Sequence, residues 1–315
     1  MSFSSEVKNE ISHLPIENDC CALAELSSLI RMSGSIKYSG DHSISIIFST
    51  ENAAIARRIF SILKKIYDVD VEVSVRKNKQ LKKNNNYLVA INNTEMAIKI
   101  LTDTGFIGTK DYNIFNPNYK IPKWIVEKKC CKRSYIRGAF LGGGSMNNPE
   151  KSYHLEFVNT DYQHARDLQK LINSFGSNSK TIKRKEFIIV YLKEAEKISD
   201  ILNIIGAHQA LLKFEEIRVL KDVRNNINRI VNCETANLEK TVEASMRQIE
   251  AIKIIKDKKG INYLPKQLRD VAEIRLLYPD ATLKEIGEKL DPPIGKSGVN
   301  HRFKKIQEIA DELKE

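Results

Sequence analysis

The sequence has no run of about 18 apolar residues, the length that a membrane-spanning helix requires. It also has no apolar segment near its start, because Glu6, Lys8 and Glu10 place charges within the first ten residues. A secretory signal peptide is therefore not expected. These two absences predict a cytoplasmic protein without membrane partners.

Cysteine is scarce, and its spacing fits no standard site. The five residues form two adjacent pairs and a single residue, namely Cys20, Cys21, Cys130, Cys131 and Cys233. No zinc-ligand spacing and no Cys-x-x-Cys motif is present. The favoured interpretation is small apolar side chains in a reducing compartment, with redox sensing as the alternative. We expect no metal site and no cofactor.

Acidic residues are outnumbered by basic ones. The chain of 315 residues has 51 Lys+Arg against 40 Asp+Glu, a formal net charge of +11. Apolar residues make up 42% and charged residues 29%, which is ordinary for a globular protein of two or three domains. The excess positive charge favours polyanionic partners, with nucleic acid ahead of membrane surfaces.

The sequence repeats itself at an offset of 110 residues. Residues 26–34 (LSSLIRMSG) align with residues 136–144 (IRGAFLGGG), and the cysteine pairs keep the same offset. Each copy predicts helix, strand, strand, helix, strand pair and helix, over about residues 10–105 and 120–210. A repeat of this length predicts a pseudo-symmetric domain spanning residues 1–220.

Three details of the repeat are predicted as well. The opening helices are expected from about Glu17 to Ser33 and from about Lys123 to Gly143. Thr50 and Thr160 are expected to cap the second helices. Ser28 and Gly138 occupy equivalent positions, and their small size predicts that the two opening helices approach closely.

The pattern changes after residue 220. Residues 221–258 are expected to be a linker and a connecting helix, with residues 222–229 as a linker or weak helix. Residues 259–315 predict three short helices. Thr282 and Glu285 form a capping box that starts the second of them. Along the last helix, the apolar stripe continues over Val299, Phe303, Ile306 and Ala310.

Residues 26–34 resemble the LAGLIDADG motif of homing endonucleases, and the resemblance covers roughly residues 10–210. It implies an α+β domain in which two such helices pack across a pseudo-twofold axis and antiparallel sheets sit on DNA. In active members, an acid before the final glycine of each motif binds the catalytic metal. Ser33 and Gly143 occupy those positions here, so the fold is expected without the nuclease. The alternative of a phosphate-binding loop at residues 142–145 lacks the required motif.

Basic residues recur in the second hairpin of each copy, where this resemblance implies contacts with the DNA backbone. The alternative is that these side chains are simply solvated. The candidates are Arg76, Lys77, Lys79, Lys82, Lys83, Lys180, Lys183, Arg184 and Lys185.

The three C-terminal helices have the proportions of a helix-turn-helix. The turn is long and resembles the variant in region 4 of bacterial sigma factors. The last helix carries side chains that suit base and phosphate contacts, with a solvated three-helix bundle as the alternative. The predicted DNA-binding residues are Lys296, Ser297, Asn300, His301, Arg302, Lys304 and Lys305.

A LAGLIDADG-like domain joined to a C-terminal helix-turn-helix resembles the WhiA family. Four segments carry this resemblance: residues 137–145 (RGAFLGGGS), 150–156 (EKSYHLE), 232–238 (NCETANL) and 296–302 (KSGVNHR). It implies a nucleoid-associated DNA-binding regulator involved in cell division, chromosome segregation or sporulation gene transcription, without enzymatic activity. Double-stranded DNA is the expected partner. A second transcription or division protein stays open as a further one.

Two other functions stay open. The chain could be a protein-interaction scaffold with incidental DNA binding, or a working endonuclease, which Ser33 and Gly143 disfavour. The distribution of charge bears on the scaffold alternative. Residues 225–315 hold 17 Lys+Arg and 15 Asp+Glu, which is only +2 of the total +11. The N-terminal domain is therefore expected to add non-specific DNA affinity.

Overall fold

The computed structural model describes residues 2–39, 43–77, 85–108 and 117–314. The chain divides into two compact units, Met1–Lys221 and Asp222–Glu315. Each unit has its own hydrophobic core. None of the helices described is both long and apolar enough to cross a membrane.

The first unit contains the repeat, preceded by α1 (Phe3–Ser12). The first copy consists of α2 (Asp19–Ser33), β1 (Gly34–Tyr38), β2 (Ile44–Thr50), α3 (Ala53–Tyr67), β3 (Glu72–Lys77), β4 (Asn85–Ile91) and α4 (Thr94–Asp103). The second consists of α5 (Lys129–Gly143), β5 (Gly144–Met146), β6 (Leu155–Asn159), α6 (Tyr162–Asn173), β7 (Lys180–Arg184), β8 (Phe187–Leu192) and α7 (Ala195–Ile205). The order of elements is the same in both copies, which confirms the predicted α+β repeat.

Each copy forms one antiparallel four-stranded sheet. The strand order is β1-β2-β4-β3 in the first copy and β5-β6-β8-β7 in the second. Alternate residues of the central strands are buried, such as Ile46 and Phe48 in β2 and Leu155 and Phe157 in β6. Because side chains alternate across a strand, each sheet has one core face and one outer face.

The opening helices α2 and α5 lie side by side and run in the same direction. A Cβ atom placed on Gly138 would lie 2.5 Å from the carbonyl oxygen of Glu25 and 3.0 Å from Cβ of Ser28. Gly142 meets Met32 and Ser33 in the same way near the C-terminal ends. The helices are therefore as close as glycine allows, which confirms the prediction from Ser28 and Gly138.

The predicted caps of the second helices are wrong by one or two residues. Thr50 is the last residue of β2, and the cap of α3 is Asn52, whose Oδ1 accepts from the backbone N–H of Ala54 at 2.8 Å. In the second copy, Asp161 caps α6 and accepts from the N–H of His164 at 2.8 Å. Asn and Asp outrank Thr at this position, so the cap falls on the better acceptor nearby.

The opening helix of the second copy is shorter than predicted. Residues Lys123–Val126 form a separate 3₁₀ helix, and α5 begins only at Lys129. The backbone of Lys128 is extended, with φ −80° and ψ 144°, and an extended residue cannot continue the hydrogen-bond ladder of a helix.

The segment predicted as a linker or weak helix is helical. Residues 222–229 lie within α8 (His208–Lys259), which continues through the predicted connecting helix without a break. The segment contains neither Gly nor Pro, so nothing in it interrupts the backbone ladder. The helix ends at Lys259, and Gly260 follows with φ +81°, a backbone conformation that glycine adopts without strain.

The second unit contains the three predicted helices, α9 (Lys266–Leu277), α10 (Leu283–Glu288) and α11 (Lys296–Glu312). The capping box of Thr282 and Glu285 is present at the start of α10. Three residues of α8 complete the core around them, namely Ala251, Ile252 and Ile255.

Candidate nucleic-acid interface

The last helix, α11, buries one face and exposes the other. Its predicted stripe of Val299, Phe303, Ile306 and Ala310 is at most 4% exposed and packs into the core of the second unit. The opposite face carries six of the seven predicted DNA-binding residues in exposed positions, Lys296, Ser297, Asn300, His301, Lys304 and Lys305. Residues 296–305 contain no acid, so this face presents donors and positive charge to a ligand.

Arg302 differs from the other six residues. It is half-buried, and its Nη1 donates to the carbonyl oxygen of Gln267 in α9 at 3.2 Å. The side chain therefore ties α11 to α9 rather than pointing freely outward.

Sequence reasoning missed Arg275, which holds the turn before α10. This residue is 2% exposed, and burial lowers the pKa of its guanidinium. Its Nε donates to Gln248 at 3.0 Å, and its Nη1 donates to the carbonyl oxygens of Pro279 and Ala281. The guanidinium also lies 5.4 Å from the ring centroid of Phe303 in α11. One buried arginine thus joins α8, the turn and the last helix.

The connection between α10 and α11 requires glycine at one position. The backbone N–H of Ile294 donates to the carbonyl oxygen of Gly287 at 3.1 Å, so the turn folds back onto α10. A Cβ atom on Gly287 would collide with the carbonyl oxygen of Ile294. This contact sets where α11 begins relative to its supporting helix.

The outer faces of the two sheets carry part of the predicted backbone-contacting set. Arg76 pairs with Asn86 and Arg184 pairs with Phe187, and both arginines lie at the same place on the outer face of their sheet. Lys180 lies on the outer face as well, opposite Tyr191.

The strand register places some of the predicted residues away from this face. Lys77 and Lys183 fall on the opposite face of their edge strands, because side chains alternate along a strand. Lys185 lies in the turn that follows, with φ +55°. Lys79, Lys82 and Lys83 lie outside the described residues.

The outer face of the second sheet is also apolar in part. Ile182 is 53% exposed and Phe187 is 44% exposed. Ile182 lies opposite Ile189, which lies opposite Val158, so these side chains form a row across three strands. This row has no cation of its own, which separates it from the basic positions at its edges.

The C-terminal ends of α2 and α5 hold the two positions where the resemblance places metal-binding acids. The hydroxyl of Ser33 donates to the carbonyl oxygen of Leu29 at 3.1 Å. At Gly143, a Cβ atom would lie 2.8 Å from the carbonyl oxygen of Val158 and would collide with Cε of Met32. Neither residue supplies a carboxylate, and the second position has no room for a side chain.

Each copy contains a buried polar contact between its opening helix and its second helix. In the first, Arg58 forms a two-point ion pair with Glu25 at 2.8 and 2.9 Å, and Arg137 of the second copy lies 3.5 Å from the same carboxylate. In the second, Tyr135 and His164 form a 2.9 Å hydrogen bond.

His164 is held neutral by its surroundings. Asn159 uses its side-chain nitrogen to donate to two carbonyl oxygens, so its Oδ1 accepts from Nδ1 of His164 at 3.0 Å. Nε2 must then accept from the hydroxyl of Tyr135. Burial, followed by the positive charge of Arg31, lowers the pKa of His164 to about 3. These two polar clusters belong to the first unit, where each joins an opening helix to a second helix.

Sequence reasoning also missed that the two cysteine pairs meet. Cys20 and Cys21 on α2 lie beside Cys130 and Cys131 on α5. A spacing rule applied within one segment cannot detect a group of residues that comes from two segments 110 residues apart.

The fold and the exposed basic helix define a helix-turn-helix protein that carries two LAGLIDADG-like repeats. Family models described as the WhiA N-terminal LAGLIDADG-like domain, the WhiA LAGLIDADG-like domain and the WhiA C-terminal HTH domain match residues 19–107, 132–224 and 227–310. The chain belongs to the WhiA family.

Relatives support this assignment over the full length. A probable cell division protein WhiA of Alkaliphilus metalliredigens is 53% identical and covers 99% of this chain and 98% of its own. One from Clostridium botulinum is 52% identical over 100% of this chain and 99% of its own. The crystal structure of full-length DUF199/WhiA from Thermatoga maritima superposes with a TM-score of 0.60 at 27% identity and covers 99% of both chains.

Proposed function

We propose that this protein is a sequence-specific DNA-binding regulator of the WhiA type that acts in cell division. Chromosome segregation and sporulation gene transcription are the processes it would serve, from the cytoplasm and on the nucleoid. The observation that carries the proposal is the acid-free exposed face of α11. The relatives' description as probable cell division proteins supports the cellular role.

The exposed face offers two kinds of DNA contact. Asn300 can bond bidentately to adenine, and Ser297 and His301 can bond base edges. Lys296, Lys304 and Lys305 can neutralise phosphates, which positions the helix without reading sequence. Arg302 is held by Gln267, so we assign it to the support of α11 rather than to base readout.

The test is selection of fragmented genomic DNA by the purified full chain, beside the variants Asn300→Ala and Lys304→Ala. We expect a shared motif with the unaltered protein. Asn300→Ala should relax one position of that motif, at a cost of about 1–3 kcal/mol. Lys304→Ala should weaken binding to all sequences equally and lower the slope of log affinity against log salt by about 1.

Lys253→Ala is the matched control, because Lys253 is an exposed lysine of α8 in the same unit. It should leave both the motif and the affinity unchanged. If no motif emerges from the unaltered protein, or if Asn300→Ala leaves the motif unchanged, α11 does not read sequence.

We further propose that the first unit binds the DNA backbone through Arg76, Lys180 and Arg184. These three cations share the outer faces of the sheets. In the full chain, replacing all three by alanine should lower the slope of log affinity against log salt by about 0.9 for each phosphate that is no longer neutralised. Replacing Lys77 and Lys183, which lie on the opposite face, should change it less. If both variants gave the same slope, the outer faces of the sheets would not be part of the DNA interface.

No nuclease activity is proposed. Ser33 and Gly143 provide no carboxylate for a divalent ion at the ends of the paired helices, and two-metal hydrolysis depends on such ligands. Supercoiled plasmid incubated with the protein and Mg²⁺ or Mn²⁺ should stay uncut. Nicking that persists after further purification would overturn this part of the proposal.

A second candidate is a scaffold that holds a protein partner on the second sheet. The exposed side chains of Ile182 and Phe187 favour it, because exposed apolar rows mark interaction surfaces. This candidate predicts that Ile182→Ser/Phe187→Ser abolishes the cell-division role while DNA selection is unchanged. The regulator predicts instead that Asn300→Ala alters DNA selection and impairs the cell-division role together.

A further inference from the structure

Four thiols meet where the two LAGLIDADG-like copies join. The sulfur atoms of Cys20, Cys21, Cys130 and Cys131 all lie within 4.8 Å of one another. The two sulfurs of the adjacent pair Cys130 and Cys131 are 3.9 Å apart. We call these four residues the cysteine cluster.

The pseudo-symmetry of the fold explains how the cluster forms. Each pair lies in the first turn of an opening helix, since α2 begins at Asp19 and α5 begins at Lys129. The two helices run in the same direction and are packed as closely as glycine permits. Residues at the same place in each copy are therefore brought together, and two ligands in each copy become four.

The separations fit a single tetrahedral metal ion. With Zn–S bonds of about 2.3 Å, the sulfurs of a tetrahedral site are about 3.8 Å apart. The sulfurs of Cys130 and Cys131 are 3.9 Å apart and no pair of the four exceeds 4.8 Å, so rotations of the side chains would close the site. An iron–sulfur cluster fits less well, because several iron atoms between the ligands would push the four sulfurs further apart than a single ion does.

The surroundings suit a site with excess negative charge. Four thiolates around a divalent ion leave a net charge of −2, and the positive ends of two helices point at it. Arg133 lines the same cavity of about 320 Å³ as Cys21 and Cys130. Ser134 lines that cavity as well.

Access to the cluster is open on one side. Cys20 and Cys130 are exposed, Cys21 is half-buried and Cys131 is buried. An ion can therefore enter from solvent and be enclosed on its inner side, which is the combination that a structural metal site needs.

We propose that the cysteine cluster binds one Zn²⁺ ion, which fastens the two copies together at the N-terminal ends of α2 and α5. Four S–H bonds break, four Zn–S bonds form and four protons leave to solvent, with no change of oxidation state. The site is structural, because all four positions around the metal are occupied by protein. Its affinity falls as pH falls, because the ligands must be deprotonated.

The ion is at the opposite end of the helix pair from Ser33 and Gly143. An α-helix rises about 1.5 Å per residue, so a helix of this length places the two ends about 20 Å apart. The proposed ion is therefore separate from the position of the nuclease metals, and it joins the copies rather than acting on DNA.

The test uses the full chain, purified under anaerobic conditions with a thiol-free reductant. We expect one zinc ion per chain by elemental analysis. Replacement by Co²⁺ should give the strong visible absorption of tetrahedral cobalt together with thiolate charge-transfer bands. A chelator should lower the Tm of the unaltered protein, because an ion bound only to the folded state stabilises it.

Matched variants separate the cluster from other thiols. Cys20→Ser and Cys130→Ser change exposed ligands, so we expect folded proteins that lose zinc, the cobalt spectrum and the effect of the chelator on Tm. Cys233→Ser changes an exposed cysteine of α8 outside the cluster and should behave like the unaltered protein. Because the unaltered protein gives the metal content directly, the test does not depend on the folding of any variant.

Several results would overturn the proposal. One is a reduced protein that takes up no more Zn²⁺ or Co²⁺ than Cys20→Ser does. Others are a cobalt spectrum of octahedral oxygen ligation and the release of acid-labile sulfide, which would reveal an iron–sulfur cluster instead. A mass two or four hydrogens lower in protein taken directly from cells would show disulfides in place of a metal.

Discussion

In the first copy the buried contact between the opening helix and the second helix is an ion pair, Glu25 with Arg58. In the second copy it is a neutral hydrogen bond, Tyr135 with His164. Glu25 and Tyr135 occupy equivalent positions, 110 residues apart. The charged contact also draws on Arg137 from the other copy, whereas the neutral contact is completed by Asn159 from its own. An arginine of the second copy therefore shares the buried carboxylate of the first copy, whereas the neutral contact is made by residues of one copy.

The sharpest test of this difference is Glu25→Gln. The change keeps the shape of the side chain but leaves Arg58, which is 4% exposed, and Arg137 without their counter-charge. We expect a loss of about 3–5 kcal/mol in the free energy of unfolding, the cost of breaking a buried pair. Urea unfolding followed by the fluorescence of Trp124, the single tryptophan of the chain, measures the first unit directly.

Glu6→Gln is the control for that measurement. Glu6 pairs with Lys213 at 2.7 Å, but both side chains are more than a third exposed. The expected loss is below about 1 kcal/mol. If the two variants lost the same stability, the buried ion pair would not be what holds the first copy together.

Gly138→Val tests the contact between the copies. The new Cβ atom would lie 2.5 Å from the carbonyl oxygen of Glu25, and backbone cannot move aside as a flexible side chain can. We expect a loss of about 3 kcal/mol, at the upper end for overpacking. Gly108→Val has no heavy atom within 4 Å of its Cβ position and should cost little. Similar costs in the two variants would mean that α2 and α5 can separate without penalty.

The pH dependence of stability tests the neutral contact. The pKa of His164 falls from 6.5 to about 3 on folding, so the unfolded chain binds a proton that the folded chain refuses. The stability from this residue is complete above pH 6.5 and is lost as the pH falls toward 3. Below pH 6.5 the free energy of unfolding falls by up to about 1.4 kcal/mol per pH unit. The expected loss at pH 5 is therefore about 2 kcal/mol.

His164→Gln isolates that contribution, because the variant has no titrating group at this position. Urea midpoints of both proteins, measured by Trp124 fluorescence between pH 7.5 and pH 5, should diverge as the pH is lowered. Parallel curves would show that His164 takes up its proton in the folded state.

Tyr135→Phe should have the smallest effect. It removes the hydroxyl that donates to Nε2 of His164 and leaves the rest of the ring in place. We expect a loss of about 1–2 kcal/mol, as for a buried acceptor without its donor. Tyr162→Phe, at a tyrosine that is 63% exposed, serves as the control. A loss as large as that of Glu25→Gln would make the two contacts equivalent and remove the contrast between the copies.

Local patterns predicted much of this structure. The repeat, the close approach at Ser28 and Gly138, the capping box at Thr282 and the buried stripe of the last helix all depend on residues a few positions apart or on the repeat offset itself. The helix cap at Asn52 was missed because Thr50 is also an acceptable cap. Which residue caps the helix depends on where β2 ends, and β2 extends to Thr50 because Thr50 pairs with Tyr87 of β4.

Features that depend on distant residues were not predictable. The orientations of Lys77 and Lys183 follow from strand register, and the role of Arg275 follows from the packing of α8 and α11 around it. The cysteine cluster is the clearest case, since each pair alone matches no metal site. Only the parallel packing of α2 and α5 brings them together.

The lack of space at Gly143 also bears on which substitutions this chain can accept. An acid introduced there would meet the carbonyl oxygen of Val158 at 2.8 Å from its Cβ atom, before its carboxylate could reach any metal. An acid at this position would therefore require the backbone of β6 to move as well. The substitution alone would lower the stability of the folded chain, because the backbone oxygen of Val158 has to be displaced. In evolutionary terms, this position is closed to a metal-binding acid for as long as β6 keeps its course.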